Sequence, residues 1–85
     1  MRRRVVYHPD APAELREAVQ FYRHVDLRLA QDFRQKVQAL VAEAGASPLR
    51  GNVVFGAVRS RQLSRFPYDI VYAVTRDQLF VLAVA

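Results

Sequence analysis

Twelve arginines, two histidines, eight carboxylates and no cysteine bound the chemistry open to this chain. The most suggestive grouping lies in V-R-S-R-Q-L-S-R, Val58 to Arg65, where Arg59, Arg61 and Arg65 share one parity with Leu63. A regular strand would hold those three guanidiniums in a row on one face. Such a row can grip phosphates or the carboxylates of an acidic peptide, because the planar fork of arginine matches either. A solvated strand edge explains the spacing equally well, since Ser60, Gln62 and Ser64 also suit a solvent-facing side. His8 precedes a proline at a strand exit, and His24 falls near a helix end, where the dipole favours a protonated ring. Two separated imidazoles without clustered carboxylates do not make a metal site. Glu14 and Glu17 lie three apart on one helix face, and their stabilising effect at the positive helix end explains them better than a catalytic pair does. Tyr68 and Tyr72 read as core or sheet-face residues, with Tyr68 joining the arginines as a candidate at the border of a binding site. The chain has no Gly-rich phosphate loop, no nucleophile elbow and no Ser-His-Asp arrangement. Nothing in the sequence implies a cofactor, and nothing declares an enzyme.

The elements that must position these residues follow from composition and periodicity. Eighty-five residues, 52% of them apolar, make one small domain (residues 1–85) rather than a disordered chain. A domain of this size buries about 60–65% of its unfolded surface, so its stability is modest without a partner. The net charge of +5, carried by arginine with a single lysine, favours an acidic protein or a nucleic acid. Absence of cysteine fits a reducing compartment. No targeting or membrane segment stands out, and the closing apolar run from Leu79 to Ala85 is far too short to span a bilayer. A soluble protein is expected.

Residues 2–7 suit a first strand. Asp10 is a plausible cap for a helix in which Leu15, Val19 and Tyr22 recur at i, i+4 and i+7, running to about His24. Asp26 is placed to cap a second helix, with Leu29, Phe33, Val37, Leu40, Val41 and Ala44 as its apolar stripe and Gly45 as its stop. So short a connection between two helices makes an antiparallel hairpin. A loop region covers Ala46 to Gly56 and holds a short edge strand at Val53 to Phe55. Next come a basic strand, a boundary at Pro67 and an apolar strand in which Tyr68, Ile70, Tyr72 and Val74 share one face. Val71 and Ala73 make the other face apolar too, which places this strand in the middle of a sheet. A turn at Arg76-Asp77 and a last strand, Gln78 to Ala85, in which Phe80, Leu82 and Val84 oppose Leu79, Val81 and Ala83, complete an α+β order β-α-α-β-β-β on a mainly antiparallel sheet. One helical hairpin covers only one face of such a sheet. Apolar surface is left over, and a patch of that kind marks a partner site.

The sequence resembles the RelE/ParE toxin superfamily of bacterial type II toxin–antitoxin systems, and is closer to the ParE branch. The matching residues are V-V-Y-H-P-D-A (Val5 to Ala11), Glu14-Leu15, Tyr22, Leu29-Ala30, Phe33, Pro48, Arg59 and Leu63, then R-F-P-Y-D-I-V-Y (Arg65 to Tyr72) and L-F-V-L-A-V-A at the end. The similarity spans the whole chain, and the Arg65 to Tyr72 segment is its most specific part.

The resemblance implies a cytoplasmic α+β toxin silenced by a cognate antitoxin in a hetero-oligomer, with the antitoxin covering apolar and basic surface. ParE-like members poison DNA gyrase without a hydrolytic site of their own. RelE-like members cut messenger RNA on the ribosome, and Arg65 falls close to a phosphate-contacting arginine of that branch, so it is the one catalytic candidate under that alternative. Arg59, Arg61, Arg65 and Tyr68 are the candidates for target or antitoxin binding. Family chains run past the last strand into a short tail with His and Arg. This chain stops at Ala85 and is expected to lack the usual C-terminal tail. A non-catalytic nucleic-acid-binding module stands as a second alternative, weakened by the lack of aromatics interleaved with the arginines.

Overall fold

The computed structural model describes residues 3–85. A first strand, β1 (Arg4–Tyr7), leads into two helices, α1 (Asp10–Val25) and α2 (Leu27–Ala46). A single 3-10 turn, Pro48–Arg50, precedes four strands: β2 (Asn52–Phe55), β3 (Val58–Gln62), β4 (Asp69–Val74) and β5 (Gln78–Val84). Arg2 of the expected first strand lies outside the described residues.

The strands form one sheet in the order β1-β5-β4-β3-β2, antiparallel except for β1 against β5. β4, apolar on both sides in the sequence, is the central strand. The edge strand foreshadowed at Val53 to Phe55 forms as β2 and brings the sheet to five strands. Ile70, Tyr72, Leu79 and Val81 point toward the helical hairpin and are 0–1% exposed. Each such residue contributes roughly 1.5–3 kcal/mol through its removal from water. From the helices, Ala18, Val19, Tyr22, Phe33, Val37, Leu40 and Val41 close the same core.

Three local readings need correction. Asp10 does not cap α1: it is the first helical residue, the cap is Pro9, and no side chain of the cap serves the helix. The Asp10 amide instead donates to Nδ1 of His8 at 3.2 Å, so an imidazole takes the cap's place. Gly45 does not stop α2, which runs one residue further and ends against Pro48, a residue that disfavours helical backbone before it. Asp26, by contrast, caps α2 as expected, its Oδ1 accepting from the Arg28 amide at 2.8 Å.

The third correction concerns β5. Strict alternation puts Val84 with Phe80 and Leu82. Instead Val71 pairs with Ala83 and Tyr72 with Val81, which leaves Leu82 as an extra residue in a bulge. The parity of β5 flips there, and Val84 turns inward opposite Ile70, 5% exposed. β1 has ended by this point, and Oε1 of Glu14 accepts the Val84 amide at 2.9 Å. Glu14 thus serves the sheet as well as standing near the positive end of α1.

Candidate functional site

The side of the sheet away from the helices carries an apolar row that crosses all five strands. Register places Val6 beside Phe80, Phe80 beside Ala73, Ala73 beside Val58, and Val58 beside Phe55. Paired residues project to the same side, so these five form one line of cross-strand neighbours. None is buried, and Phe55 at the end of the line is 80% exposed. Both helices and the buried core lie on the opposite side. The row ends at β2, whose outer edge pairs with nothing among the described residues and whose Val53 and Val54 are exposed as well. An open edge next to an open apolar face is a template for a partner.

The arginines do not form the row that strand spacing suggests. Arg59 lies opposite Tyr72 and Arg61 opposite Ile70, so both project to the helix side of β3. Nη1 of Arg59 donates to the Gly51 carbonyl at 2.8 Å and to the Leu49 carbonyl at 3.3 Å, fastening the 3-10 turn to the sheet. Arg61 lies under the end of α2, its side chain 17% exposed, with Nη2 3.3 Å from Oε1 of Glu43. Nη1 of the same guanidinium is buried with no hydrogen-bond partner.

Arg65 is not on a strand at all. β3 ends at Gln62, and Arg65 sits in the β3–β4 loop with φ +73°, a left-handed backbone that few non-glycine residues adopt. The loop turns there because Phe66 must enter the core, where it is 5% exposed and meets Tyr22 and Phe33 edge-on at centroid distances of 5.1 Å. The Tyr68 amide then bonds to the Phe66 carbonyl across Pro67 at 2.8 Å. Outside this hook, Nη1 of Arg65 donates to Oδ2 of Asp32 at 2.6 Å, and its Cζ lies 5.9 Å from the Phe66 ring centre. Tyr68 is half-buried in the same aromatic cluster, 5.2 Å from Phe33 and 6.3 Å from Tyr22. Burial, and then the neighbouring Tyr68, push the Tyr22 hydroxyl above its ordinary range. The most distinctive segment of the sequence therefore fastens the loop to the helical hairpin.

Among the described residues, no group of three or more His, Asp or Glu side chains is placed to hold a metal ion. His8 and His24 serve local backbone, the second with Nδ1 2.8 Å from the Gln20 carbonyl. Among the described residues, no helix is long and apolar enough to cross a membrane. Sequence reading found the uncovered face through β4 and β5 but missed that Val6, Val58 and Phe55 extend it to both edges. The signal was weak: β1 and β2 are four residues each, too short for alternation to register.

Neither a protein-family model nor a curated protein matches the sequence. Seven chains of solved structures do match the fold. One belongs to a structure described as the chromosomal ParDE TA system from P. aeruginosa. It superposes with a TM-score of 0.81 at 17% identity, over 96% of this chain and 92% of that one. At that identity the likeness speaks for the fold, and element order, sheet topology and helical hairpin agree: the chain has a ParE-like fold.

Proposed function

We propose that this chain is the toxin of a bacterial type II toxin–antitoxin system, held silent in the cytoplasm by a cognate antitoxin and acting on DNA gyrase. The observation that carries the reading is the five-residue apolar row left open on a ParE-like sheet, beside the unpaired edge of β2. A chain with a modest core gains stability from a partner that buries such a face. The charge of +5 favours an acidic partner, and Arg59, Arg61, Arg65 and Tyr68 are proposed as a second set of contacts to it, reached from the helix side of the sheet and the β3–β4 loop rather than from the open face. The choice of gyrase follows from the resemblance to the ParE branch.

Cleavage of messenger RNA on the ribosome is the second reading. It needs Arg65 free to meet a phosphate, whereas Arg65 is paired with Asp32. That pairing favours the gyrase reading. The test is a gyrase supercoiling assay on this chain, alongside induction in a bacterial host with and without the protein encoded by the neighbouring reading frame. Growth arrest, relief by the neighbour and loss of supercoiling are expected. Arg65→Ala should leave gyrase inhibition within about twofold of wild type. Unaffected gyrase together with cut ribosome-bound message that Arg65→Ala spares would move the function to the second reading.

A further inference from the structure

We infer that the end of the sheet formed by the β2–β3 and β4–β5 turns is a carboxylate dock, which takes acidic side chains from an extended segment of a protein partner. The inference rests on the toxin–antitoxin reading for the partner's biological identity, and on local geometry for its chemistry.

Two adjoining hollows of about 830 and 530 Å³ open at this end and share Arg3, Ala46, Thr75 and Arg76 in their walls. Arg4 lines one and Arg59 the other. Among the described residues, seven arginines have no carboxylate within 4.0 Å, and four of those seven are Arg3, Arg4, Arg59 and Arg76. Two of the four are already held in place. Arg3 donates through Nε to the Thr75 carbonyl at 3.0 Å and through Nη1 to the Gly45 carbonyl at 3.2 Å, and Arg59 is tied to Gly51 and Leu49. Bonds to carbonyls fix these guanidiniums without neutralising them, so part of the entropy of ordering a long side chain is lost before a ligand arrives. The aligned backbone carbonyls at the α2 C-terminus, to which Arg3 reaches, only partly offset this charge.

An acidic peptide fits better than a nucleic acid. None of the lining residues is aromatic, so the hollows offer bases nothing to stack on. Leu49, 76% exposed, and Val74 give the second hollow an apolar side, which suits carboxylates alternating with aliphatic side chains. Gly56 and Ala57, which close the β2–β3 hairpin, line the same hollow, so a segment running along the free edge of β2 would arrive at the arginines. A second copy of this chain is a poor occupant, since it brings another net +5 to the contact.

The test uses a synthetic ten-residue peptide of alternating Glu and Val, its Gln analogue, and a single-stranded oligonucleotide of equal charge. Arg4→Gln with Arg76→Gln removes two dock charges whose guanidiniums make no hydrogen bond among the described residues. Arg16→Gln with Arg23→Gln removes the same charge from α1. Expected are binding of the Glu peptide but not of the Gln analogue, a loss of about tenfold in the dock variant, and less than threefold in the α1 variant. Equal losses in both variants would overturn the dock in favour of net charge alone. An oligonucleotide that binds more tightly than the Glu peptide, and loses that affinity in the dock variant only, would overturn it in favour of a nucleic-acid site. Relief of growth arrest by the neighbouring protein is scored separately on the wild type. Its failure with the peptide results intact removes the toxin reading and leaves the dock, while the reverse pattern removes the dock alone.

Discussion

At the scale of single residues, the turn before β2 depends on the side chain that Gly51 lacks. Gly51 is buried beneath Tyr72, whose hydroxyl donates to the Pro48 carbonyl at 2.6 Å. A Cβ at Gly51 would overlap that hydroxyl and lie 3.0 Å from the Ser60 carbonyl oxygen, so the turn and the central strand cannot both stay in place. Gly51→Ala should cost about 1–3 kcal/mol, a fall in Tm on the order of 10 °C. Tyr72→Phe leaves the Pro48 carbonyl without its donor, at a cost of about 1–2 kcal/mol. Because removing the hydroxyl also makes room for the Cβ, the two changes together should cost less than their sum, as a thermal double-mutant cycle would show. Additive costs would mean that the turn, not the tyrosine, meets the new methyl group. Arg61 presents the opposite case. Half of its guanidinium faces Glu43 and the other half is buried without a partner, so the charge is a poor stabiliser where it lies. Arg61→Met, which keeps the stem and removes the charge, should hold or raise the Tm in a thermal melt.

At the scale of elements, the helical hairpin is joined to the sheet by the aromatic hook of Phe66 and Tyr68 against Tyr22 and Phe33. Phe66→Ala should remove about 3–5 kcal/mol, a large share of the roughly 4–13 kcal/mol available to a domain of this length. Hydrogen exchange should show amides of α1 and α2 losing protection before those of β4 and β5. Uniform loss would show that hairpin and sheet open as one unit. The sequence made some of these elements plain and concealed others. The helices were readable because sixteen and twenty residues give a 3.6-residue stripe room to repeat, and Asp26 marks their junction. β4 was readable as central because Ile70, Val71, Tyr72 and Ala73 are apolar on both sides. The Leu82 bulge was not readable, since an extra residue changes parity without changing composition. The parity that Arg65 shares with Arg59 and Arg61 suggests a common strand face, but parity holds only while the strand lasts. Burial of Phe66 ends β3 at Gln62, and the apparent row of guanidiniums dissolves into two inward side chains and one loop residue paired with Asp32. Local spacing carries no information about such a tertiary demand.

At the scale of the whole molecule, the sheet has one dry side and one open side, and neighbouring residues along β5 sample both. Leu79 is fully buried against the hairpin, while Phe80 next to it is only partly buried in the apolar row. Polar substitution at the two positions should therefore do unlike things. Leu79→Asn places an unpaired amide in the core and opens a cavity, at a cost of about 3–5 kcal/mol, enough to unfold much of the population. Phe80→Asn meets water and half-covered neighbours, and loses only the strand preference of an aromatic, about 1 kcal/mol. The isolated wild-type chain, with its row open, should bind a hydrophobic fluorescent dye and self-associate as concentration rises in light scattering. Phe80→Asn should suppress both while keeping most of the Tm, and Val58→Asn, one strand further from β5 than Ala73, should act the same way through the same row. Should Phe80→Asn lower the Tm as far as Leu79→Asn does, the outer face would be part of the core and no partner would be needed to cover it. The contrast between adjacent residues separates a surface kept apolar for a partner from one kept apolar for stability, and the marginal size of the domain makes either result easy to read.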